Sequence, residues 1–366
     1  LVRSRGLGDV YKRQKQDYYW EQIPGMEINM KFITIGEIMM RLSPPNYDKI
    51  VSTHDFIVNY GGAEANVAVS LACLGVDSTL FTVLPNTDLG KSTISYLKAN
   101  DVHTRQIIKS EGRMGIYYLE EGVAARRSQV IYDREHSAFA EYDYSSIDFD
   151  EIMREYDWLH ISGITPALSY NCRRLVDAAL KSAHKLGLTV SFDPNFRANL
   201  WSFETARDVL STYMPYVDVL IGIEPIHCYN EDGVTDVKDG LSMQPSFEDQ
   251  DRVFRALAKT YNLKAIARTV RYAHSGSNNS LKAFYYTDGQ TYESKLINFD
   301  IIDRVGGGDA FSSGLIYAMM EGMNCQDTVD FAVASSVMKH SIHGDTNITT
   351  RDQIEAIMRD EHDIKR

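Results

Sequence analysis

Residues 303–322 read DRVGGGDAFSSGLIYAMMEG. Three consecutive glycines, Gly306, Gly307 and Gly308, lead directly into Asp309. After them Phe311, Leu315, Ala318 and Met319 recur at helical spacing, so the stretch reads as a turn that opens a helix. Glycine permits φ > 0 and a close approach of the backbone to a ligand, and a branched residue at Gly307 is expected to resist such a turn. A helix N-terminus leaves N–H donors unpaired and carries partial positive charge. Together they make a site for phosphate oxygens, and Asp309 adds a carboxylate beside it. Taken alone, GGGD also suits a tight turn with an Asp cap.

Two other phosphate motifs are excluded. Gly90-Lys91-Ser92 has the ending of a P-loop, but Pro85 stands where its first glycine belongs. The first apolar stretch, KFITIGEIMMRL at 31–42, carries no G-x-G-x-x-G, which argues against a nicotinamide oxidoreductase.

Outward from the turn, apolar runs alternate with amphipathic ones. FITIGEI (32–38), STLFTVL (78–84), WLHISGI (158–164), LTVSFD (188–193), VDVLIGI (217–223) and LKAIART (263–269) read as buried strands, with KFITIGEIMMRL as one continuous first strand. AEANVAVSLACLG (63–75), KSTISYLKAN (91–100), CRRLVDAALKSAHKLG (172–187) and FEDQDRVFRALAKTY (247–261) read as helices. This alternation predicts an α/β fold with a mostly parallel central sheet. Residues of about 41–60 and 113–132 break the rhythm. MGIYYLEEG followed by SQVIYDR predicts a hairpin around Gly122, and the two pieces suit a small antiparallel lid. SGSNNS, 275–280, reads as a polar loop. Residues 1–29 show no clear periodicity and are set aside as an N-terminal extension, disordered or artefactual; the folding unit is placed at 30–366.

The chain has 366 residues, 44% hydrophobic and 24% charged, with a formal charge of −12. That is an ordinary globular balance, and its sign disfavours a nucleic-acid partner. No apolar run approaches a membrane span. Cys73, Cys172, Cys228 and Cys325 form no C-x-x-C pair, and four scattered cysteines suit a reducing compartment, hence the cytoplasm.

A second glycine turn stands at NYGGAEANVAVSLACLG, 59–75, where Gly61 and Gly62 precede a helix with Glu64 and Asn66 in its first turn. GGAEANVAVSLACLG and DRVGGGDAFSSGLIYA resemble the N- and C-terminal signatures of the PfkB (ribokinase-like) carbohydrate kinases, and the resemblance spans Met30 to the C-terminus. It implies a three-layer ribokinase-like fold with a β-lid, ATP as donor, Mg2+, Asp309 as catalytic base and Gly306–Gly308 as anion hole. Arg304 departs from the usual second signature, yet DRVGGGDAF resembles the branch acting on 2-keto-3-deoxygluconate.

The same resemblance places Gly61, Gly62, Asn66, Tyr117, Tyr132, Arg134 and Arg197 at the acceptor. Two arginines suit an anionic acceptor, because a guanidinium grips a carboxylate through two parallel hydrogen bonds. Asn195, Glu224, Thr269, Arg271, Ser275, Lys339 and Asn347 fall on the nucleotide side, with 267–280 as the loop covering ATP. Ile223 and Ile226 occupy the two positions of the N-x-x-E motif common among relatives, which leaves the metal ligands unassigned. A kinase of a neutral sugar and a non-catalytic sugar-acid-binding relative stay open, and a homo-oligomer through the lid is expected.

Overall fold

The computed structural model describes residues 30–123 and 126–361; the leading segment lies outside the described residues. Seven strands run parallel in the spatial order β11 (Ala265–Ala273), β10 (Val219–Ile221), β9 (Thr189–Asp193), β8 (Trp158–Ser162), β1 (Lys31–Ile35), β4 (Asp77–Pro85) and β5 (Ile107–Ser110). β12 (Asn278–Thr287) adds antiparallel to β11, and β13 (Gln290–Glu293) and β14 (Ile297–Asp300) both pair antiparallel with β12.

The interiors of β1, β4, β8, β9 and β10 are buried because both faces of the sheet are covered. In β10, Leu220 joins one core while Val219 and Ile221 join the other, as the two-residue period of a strand requires. Helices Tyr170–Leu186 and Phe247–Tyr261 pack Leu175, Leu180, Phe254 and Leu257 on the first face. Helices Ala63–Cys73, Gly307–Met320 and Cys325–Lys339 pack Val67, Leu71, Phe311, Leu315 and Phe331 on the second. The result is three layers. The helix ends are written locally: Ser169 Oγ accepts from Cys172 N at 3.1 Å to start one helix, and Gly187 at φ 77° ends it.

A separate four-stranded sheet has the order β3 (Ile57–Gly61), β2 (Met39–Ser43), β6 (Ile116–Glu120) and β7 (Gln129–Asp133). β6 and β7 pair antiparallel, Glu120 opposite Gln129, while β2 and β6 run parallel. Met39, Tyr117 and Leu119 pack beneath this sheet against Val305, just ahead of the glycine turn.

Two expectations are corrected. The stretch 31–42 is two strands in two sheets, split at Gly36–Ile38. A Cβ on Gly36 would lie 2.3 Å from the buried Glu64 carboxylate, so the chain bends where only glycine fits. Residues 267–280 are mostly hairpin rather than loop. β11 continues to Ala273, β12 starts at Asn278, and Asn278 Nδ2 donates to Asp300 Oδ1 at 2.8 Å.

Candidate active site

The two glycine turns, distant in sequence, meet above the carboxyl ends of the parallel strands. Gly306 is the N-cap of the Gly307–Met320 helix and sits at φ 81°. A Cβ there would meet the Asp345 carbonyl at 1.8 Å. Gly307 is helical, and its Cβ would meet the His340 ring at 2.4 Å. Around Gly308 there is open space within 4 Å. The left-handed position is therefore Gly306, not Gly307, and only Gly308 owes nothing to neighbouring protein. It is exposed beside the unpaired N–H groups of the first turn, where an anion can approach.

The helix behind the turn is not amphipathic. Every residue from Ala310 to Ala318 is buried, so its N-terminus is fixed on all sides. Ser336 Oγ donates to Gly307 O at 2.7 Å and Ser335 Oγ to Ala310 O at 2.9 Å, tying the turn to the Cys325–Lys339 helix.

Asp309 lies in the first helical turn, and its Oδ2 accepts from Asn66 Nδ2 at 2.6 Å. Asn66 belongs to the helix opened by the other glycine pair. Burial pushes the Asp309 carboxyl up to about 6, against the lowering effect of the Asn66 hydrogen bond and the Arg197 charge. A carboxylate near neutrality is suited to accept a proton. Gly61 and Gly62 have packing reasons: a Cβ would lie 2.0 Å from Asp345 Oδ2 at Gly61 and 2.0 Å from Glu37 O at Gly62.

At the end of β9, Asp193 accepts from Asn195 N at 2.9 Å and from its Nδ2 at 3.3 Å. Burial first, then the Asp309 charge, raises Asp193 to about 7. Asn195, expected on the nucleotide side, thus holds this turn at φ 40°. Arg197 follows, exposed, donating to the Phe196 carbonyl at 3.2 Å. It enters no ion pair among the described residues, and its charge lowers both Asp193 and Asp309.

Arg134 differs. Its Nε donates to Glu37 Oε2 at 2.9 Å and its Nη2 reaches the same oxygen, while its guanidinium lies 5.8 Å from the Tyr132 ring centre. Glu37 is 4% exposed, and sequence reading missed it. Arg134 therefore already has a carboxylate, which corrects the picture of two free arginines. Tyr117 is corrected likewise: it is buried and its hydroxyl donates to Asp345 Oδ2. Tyr132 is exposed on β7, its ring 5.9 Å from that of Tyr117.

Of the residues expected on the nucleotide side, Thr269 and Arg271 are exposed on β11 and Ser275 is exposed at the hairpin tip. Glu224 is exposed at the end of β10, with Lys238 Nζ 3.9 Å away. Ile223 and Ile226 are buried in the core. Lys339 and Asn347 are corrected. Both are at most 1% exposed, Lys339 donating to Ile342 O at 2.9 Å and Asn347 Nδ2 to Ser335 O at 3.2 Å, so neither presents a surface to a ligand. Their polarity in KHSIHGDTN gave a site-like signal, but it serves internal hydrogen bonds.

A carboxylate in the first turn of a glycine-opened helix, at the carboxyl ends of a parallel sheet with a small sheet packed at the same end, is an arrangement suited to a phosphotransferase. The pattern of the pfkB family carbohydrate kinases matches residues 30–226 and 276–351. The chain belongs to this family, and its fold is ribokinase-like. It is similar to a 2-dehydro-3-deoxygalactonokinase of Haloferax volcanii, 30% identical, with 90% of this chain and 96% of that protein covered. Among solved structures, it is similar to the 2-dehydro-3-deoxygluconokinase of Thermotoga maritima, 39% identical, TM-score 0.84, covering 90% and 98%. A PfkB family carbohydrate kinase of Listeria grayi is 34% identical, TM-score 0.81, covering 90% and 99%.

Proposed function

We propose that the protein is an ATP-dependent sugar-acid kinase that phosphorylates 2-keto-3-deoxygluconate at its terminal primary hydroxyl, giving the 6-phosphate. The observation that carries this reading is Arg197, a cation outside any ion pair among the described residues, beside an Asp309 raised to about 6. Arg197 supplies the two-pronged donor that a carboxylate accepts. Asp309 takes the proton of the attacking hydroxyl, and the first-turn N–H groups at Gly308 stabilise the transferring phosphoryl group. The names of the Haloferax and Thermotoga relatives, both sugar-acid kinases, support the same class.

Glu224, the exposed acid at the end of β10, would help to hold Mg2+ through water, and the ion would neutralise charge on the donor's phosphates. The buried Ile223 and Ile226 offer no ligand. The small sheet acts as the lid over the acceptor, excluding water as a competing acceptor. Ile57, Val58, Val130 and Ile131 are exposed on it, which supports a homo-oligomer through the lid. Four unpaired cysteines support a cytoplasmic location. Among the described residues, no helix is long and apolar enough to cross a membrane.

The test is an ADP-release assay over a panel of 2-keto-3-deoxygluconate, its C4 epimer, gluconate, fructose and ribose. Turnover led by the 2-keto-3-deoxy acids supports the proposal. Turnover led by fructose or ribose replaces it with a neutral-sugar kinase, and no turnover with any acceptor replaces it with a binding protein.

A further inference from the structure

Arg41 is among the largest fully buried side chains of the protein, at 1% exposure, and it lies on β2 of the small sheet rather than in the main core. Every arm of its guanidinium is occupied. Nη1 lies 2.8 Å from Asp303 Oδ2 and 3.0 Å from Asp345 Oδ1, Nη2 is 2.7 Å from Glu121 Oε1, and Nε donates to Ser43 Oγ at 2.8 Å. A buried guanidinium survives only with such pairing.

Its partners stand on either side of the glycine turn. Asp303 precedes it, accepting from Val305 N at 3.0 Å through Oδ1 and from Gly344 N at 3.0 Å through Oδ2. Asp345 follows it in space. Its carbonyl presses against Gly306, its carboxylate fills the room left by Gly61, and its Oδ2 takes the Tyr117 hydroxyl from β6. One cation thus joins the small sheet, both flanks of the anion turn and the floor of the second glycine turn.

We propose that Arg41 is a positioning residue for phosphoryl transfer, locking Asp303 and Asp345 so that Gly306 and Asp309 keep their places relative to the small sheet. The inference rests on the reading of the Gly306–Asp309 turn as the phosphoryl-transfer site. Glu121, Asp303 and His343 lie near enough together to suggest a metal, but Arg41 already holds two of the three.

A purely structural arginine would affect only the folded fraction. A positioning one also affects the base. The groups acting on Asp309 are Asn66, Arg197 and Lys339, which lower it, and Asp345, which raises it; Asp193 is the other carboxyl in its field. Arg41 is also the cation that holds the buried Asp345 charged, so without it Asp345 takes up a proton and its charge no longer raises Asp309.

The experiment compares wild type, Arg41→Lys, Arg41→Gln and Arg41→Gln/Asp345→Asn in the full chain, reading thermal melting, acceptor Kd by calorimetry, and kcat from pH 5 to 9. Expected are a kcat lower by about tenfold or more in Arg41→Gln, an acceptor Kd changed by less than about threefold, and an acid limb of kcat moved to lower pH. Arg41→Lys should fall between. The double variant should keep the limb of Arg41→Gln, because Asp345 is already uncharged there. If Arg41→Gln does not fold, Arg41→Lys and the double variant carry the test. A kcat that falls only with the folded fraction, with the acid limb unmoved, overturns the inference. Asp309→Asn separates the two levels. If it retains turnover, the site reading itself fails; if it is inactive while the Arg41 variants keep normal kcat and pH profile, only the role of Arg41 fails.

Discussion

Asn66 Nδ2 donates to Asp309 Oδ2 across 2.6 Å, joining residues 243 positions apart in the chain. Each stands in the first turn of a helix opened by glycines, and the bond orients the Asp309 carboxylate while lowering its pKa against the burial that raises it. Asn66→Ala should therefore raise the pH at which activity appears. In the wild type, Asp309 is charged above about pH 6, so kcat should rise with pH through that region and level off above it. A pH–rate profile in which Asn66→Ala matches wild type would remove the coupling.

Asp309→Asn should lower kcat by ~10²–10⁴-fold and leave acceptor binding largely intact. The same change should stabilise the fold at alkaline pH. A folded pKa above the unfolded value means the native state holds more protons between about 4 and 6, so stability falls as pH rises through that window and the penalty is complete above it. Asparagine never ionises and can still accept from Asn66. A gain on the order of 1 kcal/mol at pH 8, shrinking toward pH 4, is expected in urea titrations.

The three glycines should separate in mutagenesis. Gly308→Ala projects a methyl into open space, so melting should hold while phosphoryl transfer drops by ~10-fold or more. Gly306→Ala forces a side chain into φ 81° and against Asp345 O, and Gly307→Val drives into His340. Both should lose folding along with activity. Thermal melting beside kcat distinguishes the patterns, and a Gly308→Ala enzyme of full activity would count against an anion at that position.

The two arginines should also part. Arg197→Ala should weaken 2-keto-3-deoxygluconate by roughly 2–5 kcal/mol, with ATP nearly unaffected, and Arg197→Lys should recover only part. Fructose should become the relatively better acceptor; equal loss for both acceptors would mean that Arg197 does not read a carboxylate. Arg134→Ala instead leaves Glu37 buried without its cation, and should cost stability by roughly 3–5 kcal/mol. Double variants with Glu37→Gln, followed by denaturant titration, should recover much of it.

Local sequence chemistry determined the layered α/β fold. Strands covered on both faces must be apolar throughout, helices on their flanks must alternate, and both signals survive in a short window, as in VDVLIGI and CRRLVDAALKSAHKLG. Glycines before Asn66 and Asp309 likewise announced two helix N-termini, because positive φ and close approach leave a local mark. What the sequence could not decide was which polar groups remain free. Arg134 and Arg197 read alike, but only folding brought Glu37 to Arg134 and left Arg197 outside any ion pair among the described residues. Lys339 and Asn347 read as ligand contacts and are buried, whereas Arg41 passed unnoticed inside an apolar run and proved to be a buried hub of three carboxylates. Pairing of charges depends on residues hundreds of positions apart, and burial is a property of the whole packed layer. Neither is written in any one stretch of chain.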